Sequence, residues 1–368
     1  MIDRRLIINF EWLLLVMVLL ICGIGLANLY STGHTLNFPR GSAPCVKQFY
    51  WILLGLFCMT VATAIDYRYV VQYAYIIFGF SVILLIGVSL YGKIAQGSQR
   101  WLIIGGLSIQ PSEMIKLTVV LFLARYASDV FPEGGFTTKS LVVPACILSL
   151  PVIMIGLQPD LGTALFIFIL SVSIILFVGI RWKTIIALLL ICLMIMPLFW
   201  FLLRDYQRSR ILTFLDPERD PLGTGYHIIQ SMIAVGSGGF MGKGLFKGTQ
   251  TQLKFLPEQH TDFVFSVFAE EWGFVGVMLL IGCYLTIILW GLNIARHARD
   301  LPGMFIAYGI TAYIFLGVTI NIGMVIGIFP VVGIPLPFLS YGGSAMIVLM
   351  TGIGLLLNVS MRRFILSR

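Results

Sequence analysis

The sequence predicts an all-α polytopic membrane protein, and three observations carry that reading. Hydrophobic residues make up 59% of the 368 and charged residues only 11%, with a mean hydropathy of +0.98. Apolar runs of about 20 residues, the length a helix needs to cross hydrocarbon, recur along the whole chain. The basic residues behind a formal net charge of +8 sit in short clusters between those runs, so they read as orientation signals and not as a nucleic-acid surface. Backbone in hydrocarbon must satisfy its own hydrogen bonds, which makes helices the expected elements.

About ten spans are expected, at roughly 10–30, 48–65, 70–90, 111–127, 140–157, 162–180, 184–203, 263–293, 303–328 and 341–361. Met1 to Arg5 carries basic residues ahead of the first run, which is too long for a signal-peptide core and lacks a clear small-x-small cleavage site. It therefore reads as a retained span. With the N-terminus inside, the interior loops and tails hold twelve basic residues and the short exterior loops only four, Arg40, Lys47, Lys93 and Arg100. Both termini are then expected in the cytoplasm, with 1–368 a single integral membrane domain and 204–262 a long extracytoplasmic loop between spans seven and eight. Six cysteines, five of them in apolar runs, show neither C-x-x-C nor Cys/His metal spacing.

The connections hold the chemistry. Tyr91 to Gln110 is glycine-rich and too short on apolar residues to span, so a surface-lying or partly re-entrant loop anchored by Trp101 is expected. The next span opens Gln110-Pro-Ser-Glu113, with proline in the first turn. Glu113 and Lys116 are three apart on one helix face and can pair, either as a lock between helices or with a direct functional role. Asp160, in Gln158-Pro-Asp-Leu-Gly-Thr163, is an N-cap candidate on the exterior side. Within the long loop, Tyr226 to Val235 has the spacing of a short amphipathic helix, lying on the bilayer or against the bundle. The glycines of Gly236 to Gly244 with Lys243 suit either a flexible loop or an anion cradle.

Pro257 to Gly273 is where water gives way to lipid. His260 and Asp262 fall at that boundary, with Glu258, Glu270 and Glu271 nearby. Thr261 or Asp262 could simply cap a helix beginning near Phe263. The concentration of ionisable groups at one membrane face argues for more than a cap. From Asn321 to Ala345, Pro330, Pro335, Pro337 and Gly342-Gly343 predict a broken helix or rigid turn at the same face, lining a cavity or serving as a hinge.

These residues resemble the SEDS family of bacterial wall proteins, which includes RodA, FtsW and SpoVE. Asn321, Gly327, Pro330, Gly333, Pro335, Pro337 and Ser340-Tyr-Gly-Gly-Ser-Ala345 match its signature in order. Gln99-Arg-Trp101, Gln110-Pro-Ser-Glu113 with Lys116, Gln158-Pro-Asp-Leu-Gly-Thr163, Asp216-Pro217, Gly225-Tyr-His-Ile-Ile-Gln230 and His260-Thr-Asp-Phe263 extend the match from the third connection to the last span. Asp216 to Gly223 and Phe268-Ala-Glu-Glu271 are more similar to the RodA, or elongation, branch.

The resemblance implies a SEDS-type helical bundle in the bacterial inner membrane. It implies a peptidoglycan glycosyltransferase that polymerises lipid II into β-1,4-linked strands, releasing undecaprenyl diphosphate, for cell elongation and rod shape. The implied partners are a class B penicillin-binding transpeptidase, other elongation-complex membrane proteins and membrane lipid, with no nucleic acid. Glycosyl transfer from a diphosphate needs a base for the acceptor hydroxyl and cations for the leaving group. Asp262, matched to the family's loop acid, is the candidate base. Trp101, Gln110, Glu113, Lys116, Asp160, His260 and Ser340 are supporting candidates. Arg208, Arg210 and Lys243, with or without a divalent cation such as Mg or Mn, are candidates for the diphosphate. A lipid-linked precursor flippase and a non-catalytic scaffold for a transpeptidase are the alternatives. A flippase would spread its polar groups through the membrane depth, whereas a polymerase would gather them at the exterior face.

Overall fold

The computed structural model describes residues 10–35, 43–95, 98–104, 107–130, 136–186, 190, 194, 205–216, 224–253, 255 and 259–363. In chain order these form α1 (Trp12–Thr35), α2 (Pro44–Ala64), α3 (Tyr67–Gln72), α4 (Ala74–Tyr91), β1 (Lys93–Ala95), β2 (Ser98–Ile104), β3 (Leu107–Ile109), α5 (Pro111–Val130), α6 (Thr138–Leu157), α7 (Leu161–Val178), α8 (Asp205–Leu215), α9 (Thr224–Ser237), α10 (Thr249–Gln252), α11 (Val264–Arg296), α12 (Leu301–Val325) and α13 (Gly343–Arg362). Seven of them, α1, α2, α4, α6, α11, α12 and α13, are long and apolar enough to cross a membrane. The fourth and sixth expected spans are also helices. α5 carries Glu113, Lys116, Arg125 and Asp129, and α7 is a shorter apolar helix. Most of the seventh expected span, and Glu258, lie outside the described residues.

α13 is buried along almost its whole length, with α2, α12 and α5 packed around it. At one end Asn358 closes this packing. Its Nδ2 donates to the carbonyls of Ala62 (2.7 Å) and Thr63 (3.0 Å), and its Oδ1 accepts from Tyr67 N (3.2 Å), so the end of α2 keeps its backbone groups satisfied. The five cysteines described are free thiols.

Three expectations need correction. The third span begins as two helices, α3 and α4, divided at Tyr73, whose φ of −97° and ψ of 9° leave the helical line. The connection from Tyr91 to Gln110 is a three-stranded antiparallel meander, β1-β2-β3, in place of a loop or re-entrant segment. Ile94, Ile103, Ile104 and Ile109 are β-branched, and strand pairing satisfies amides that a loop would leave to water. Trp101 sits on β2, paired with Lys93.

The third correction concerns the eighth span, which is not one continuous helix. Gly273 (φ 64°, ψ −165°) breaks α11, and a broken helix in an apolar setting strands amides and carbonyls that lipid cannot satisfy. The glycine-rich segment after α9 fills the break. Lys243 N and Gly244 N donate to the carbonyls of Glu270 and Glu271, both at 3.0 Å, while Phe274 N and Val275 N donate to Gly239 O (2.9 Å) and Phe240 O (3.2 Å). The approach is so close that a Cβ on Gly242 would lie 2.2 Å from Glu271 O, and one on Gly273 would lie 2.2 Å from Gly242 N. These glycines are there for contact and for positive φ, and the Lys243 and Gly244 amides are committed to α11 and not to an anion cradle.

The amphipathic stretch folds as α9, against the bundle. Ser231 Oγ donates to Val325 O (2.8 Å) and meets Ser266 Oγ at 2.9 Å. If the glycine splice holds the broken helix, Gly242→Ala should lower the yield of folded protein and its thermal midpoint in detergent far more than Gly236→Ala, whose added methyl meets nothing within 4 Å. Equal midpoints for the two variants would contradict the splice.

Candidate functional site

The site is built on three consecutive residues, His260, Thr261 and Asp262, just ahead of α11. The helix they precede is capped at Phe263 without any side-chain hydrogen bond, so neither Thr261 nor Asp262 acts as its N-cap. The carbonyls of all three are instead tied to the end of α12 and the non-helical segment that follows it. Tyr341 N donates to His260 O (2.8 Å), Ser340 Oγ to Thr261 O (2.6 Å), and Asn321 Nδ2 to Asp262 O (3.0 Å). Ser340 Oγ also accepts from Leu336 N (2.8 Å), and Gln48 of α2 grips the same turn, donating to Ser340 O (3.2 Å) and accepting from Gly342 N (3.2 Å). Prolines 330, 335 and 337 keep this segment out of a helix and leave its polar backbone free for such partners.

Around Asp262 the segment 331–334 acts as a hub. Gly333 has a φ of 71°, and the position its Cβ would occupy is 3.4 Å from Asp262 Oδ2, so the half-buried carboxylate lies against a bare backbone. One residue earlier, Val332 O sits where a Cβ of Gly162 would be, at 2.1 Å, which brings the first turn of α7 onto the hub. That turn is capped by Asp160, whose Oδ1 accepts from Thr163 N (3.2 Å). The cap reading of Asp160 therefore holds, and its Oδ2, in a side chain only 1% exposed, faces Arg100 Nε at 3.3 Å. Arg100 Nη2 also donates to Pro159 O (3.0 Å). From α8, Arg210 Nη1 donates to Val331 O (3.4 Å), and Arg208 lies two residues away, half-buried on the same helix. Asp262 and Arg210 thus meet the 331–334 segment directly, and Asp160 with Arg100 adjoins it through the start of α7.

Other predicted residues are placed farther into the bundle. Glu113 and Lys116 form a 2.6 Å ion pair with side chains 4% and 2% exposed. Tyr313 donates to Glu113 Oε2 (3.3 Å), and Lys116 Nζ stands 4.9 Å from the Phe166 ring centroid, a cation–π distance. Gln110 N donates to Ser344 Oγ (3.0 Å), joining the start of α5 to α13. Lys243 Nζ is held by Glu270 Oε1 (2.7 Å) and Thr249 Oγ1 (2.8 Å). His260 Nδ1 meets Thr32 Oγ1 of α1 at 3.2 Å. Burial pushes the Tyr341 phenol above its ordinary range.

Sequence reasoning missed three participants. Arg100 was visible only as an arginine next to Trp101, Asn321 only as a motif position, and Gln48 carried no local signal at all. An exterior arginine on the same membrane face as Asp160 was the one clue to their pairing.

Comparison with known proteins follows the same residues. A family model described as cell cycle protein, for FtsW, RodA and SpoVE, matches residues 11–364. The peptidoglycan glycosyltransferase MrdB of Escherichia coli K12 is 44% identical over 86% of this chain and 85% of its own length. The peptidoglycan glycosyltransferase RodA of Treponema pallidum is 32% identical over 96% and 98%. A solved chain from work on structural coordination of polymerization and crosslinking by a peptidoglycan synthase complex superposes with a TM-score of 0.82 at 32% identity, covering 96% of this chain and 98% of that one. The rod shape determining protein RodA of Thermus thermophilus gives 0.71 at 28%, with the same coverage.

The buried Glu113–Lys116 pair yields a test that separates its two roles. Lys116→Met alone leaves a buried carboxylate unpaired and should cost roughly 3–5 kcal/mol, whereas Glu113→Gln with Lys116→Met should recover most of that stability. A double variant that folds and keeps activity marks the pair as a lock between helices; one that folds and is inactive marks a direct role.

Proposed function

This chain belongs to the FtsW, RodA and SpoVE family of cell cycle proteins, and on that premise we propose that it polymerises lipid II at the outer face of the bacterial inner membrane, with Asp262 as general base. It is a multi-pass membrane protein and a peptidoglycan glycosyltransferase. The observation that carries the mechanistic reading is the hub at 331–334, where a half-buried carboxylate, the Arg210 guanidinium and the capped start of α7 converge.

In the proposed reaction the acceptor hydroxyl of one sugar attacks the anomeric carbon of the next, the bond from that carbon to the diphosphate breaks, and undecaprenyl diphosphate leaves. The hydroxyl proton passes to Asp262 Oδ, and the negative charge that develops falls on the leaving diphosphate. Arg210 and Arg208 on α8 are the cations suited to it, because guanidinium matches phosphate oxygens two at a time. Among the described residues no group of three or more His, Cys, Asp or Glu side chains is arranged to hold a metal ion. A divalent cation, Mg or Mn, would take most of its ligands from the diphosphate and water, with one or two carboxylates at most.

The remaining proposals concern setting. Both termini are cytoplasmic and residues 204–262 are extracytoplasmic, which the distribution of basic residues supports. A class B penicillin-binding transpeptidase is the partner that would crosslink the strands, in line with the solved relative from a complex that coordinates polymerization with crosslinking. The elongation branch is supported by the MrdB and RodA relatives. Transport is not favoured, since the polar groups around Asp262 gather at one loop.

The test is polymerisation of lipid II by purified protein, alone and fused to the transpeptidase. Wild type should make long glycan strands. Asp262→Ala and Asp262→Asn should slow chain growth by at least about 10²-fold with unchanged thermal midpoints, the usual scale for losing a general base. Full activity in folded Asp262→Asn would sink the base assignment, and lipid II translocation without polymer from any wild-type preparation would sink the enzyme reading.

A further inference from the structure

Asn321 has no part in the chemistry just described, yet it spans both sides of the site. It lies near the end of α12, fully buried. Its Nδ2 donates two hydrogen bonds, one to Asp262 O (3.0 Å) and one to Ile334 O (2.7 Å). The first carbonyl belongs to the residue that carries the acid. The second belongs to the neighbour of Gly333, the residue whose bare Cα faces Asp262 Oδ2. One amide therefore fixes the distance between the carboxylate's own backbone and the surface the carboxylate rests on.

We infer that Asn321 is a positioning residue for Asp262, assisted by Ser340. The inference rests on Asp262 being the base. The chemistry explains the residue type. Two carbonyls facing one point need a double donor, and a neutral primary amide has two N–H groups on one nitrogen. Aspartate would bring a carboxylate against two carbonyl oxygens, and leucine would leave both carbonyls buried and unsatisfied. Ser340 repeats the arrangement one residue earlier: its hydroxyl donates to Thr261 O and accepts from Leu336 N, so it tethers the same strand to the same segment. Thr261 and Asp262 provide no helix cap, and these side-chain bonds, the Tyr341 amide and the His260 contact with Thr32 are among the restraints on the tripeptide. A base must lie within hydrogen-bond reach of the proton it takes, and displacement by about 1 Å costs on the order of 10²-fold in rate while leaving distant substrate contacts in place.

The experiment measures kcat and KM for lipid II polymerisation by the full chain, with thermal midpoints, for Asn321→Ala, Ser340→Ala, Ser340→Thr and, in parallel, Asp262→Asn and Asn358→Ala. The expected result is a kcat lowered roughly 10- to 100-fold in Asn321→Ala and less in Ser340→Ala, with KM within about twofold of wild type. Ser340→Thr, which keeps the hydroxyl, should retain more of kcat than Ser340→Ala. Asn358→Ala removes an equally buried asparagine that ties helix ends away from the hub, so its midpoint should fall while kcat and KM per folded molecule stay unchanged. The inference is overturned if folded Asn321→Ala keeps kcat within about twofold, or if its loss merely tracks the folded fraction as in Asn358→Ala. Should Asn321→Ala fail to fold, the Ser340 pair decides: equal kcat in Ser340→Ala and Ser340→Thr overturns it. Full activity in Asp262→Asn instead removes the base assignment itself, which is a separate failure.

Discussion

Hydrocarbon offers no hydrogen bonds, so every break in a membrane helix must be repaired by protein, and two such repairs shape this molecule. At Gly273 the repair is backbone to backbone, with the segment from Gly239 to Gly244 threaded into α11 and exchanging amides with it. Between α12 and α13 it is made largely by side chains, with Asn321 and Ser340 reaching the loop ahead of α11 and Gln48 holding the turn at Ser340 and Gly342. The second repair leaves non-helical backbone at the rim of the bundle, which is what a reactive carboxylate needs if it is to be fixed and still half-exposed. The placement of Asp262 and the broken helices are thus one structural problem with one solution.

Charge is handled with the same economy. A buried ion is costly unless it is paired and hydrogen-bonded, and three buried carboxylates of the bundle are paired in this way. Glu113 has Lys116 and Tyr313, Asp160 has Arg100 and the start of α7, and Glu270 has Lys243 and Thr249. Asp160 serves twice, as cap and as counter-ion, which locks the β-meander to α7 beside the hub. Arg100 is one-quarter exposed where Asp160 is nearly enclosed, so the guanidinium retains a face toward solvent while its partner anchors it. Such an arginine is pre-oriented at little further entropic cost to any anion that arrives.

What was legible in the sequence follows from the range of the interactions involved. Span positions depend on local composition, and the boundaries of α2, α6, α12 and α13 fall within a few residues of the apolar runs. Pro111 opens α5, Asp160 caps α7 and the proline-rich segment breaks the helix, because each rests on neighbours in sequence. The motif residues around Asp262 were legible through resemblance. The break at Gly273 was not, since glycine in a span is as often harmless packing as a hinge. Nor was its counterpart, where a glycine-rich loop with a lysine has the same sequence appearance whether its amides face a phosphate or another helix. Arg100 with Asp160, and Asn321 with Asp262, are 60 and 59 residues apart, and nothing local specifies them.

The depth of the polar groups bears on what the fold is for. A carrier that moves a headgroup across the bilayer needs polar partners along the path, and those partners must exchange as the cargo advances. Here the deep pair, Glu113 with Lys116, is sealed by Tyr313 and Phe166 and has its bonds turned inward. The half-buried groups Asp262 and Arg210 meet the 331–334 segment, which is pinned by side chains from several helices, and Arg100 adjoins it through Asp160. A pinned site suits a reaction whose transition state must be met by fixed dipoles, because preorganised groups need no rearrangement when charge develops. A pinned rim with a sealed interior is therefore the arrangement that suits a polymerase better than a carrier, and Asn321, bonded to both Asp262 O and Ile334 O, is one of the pins.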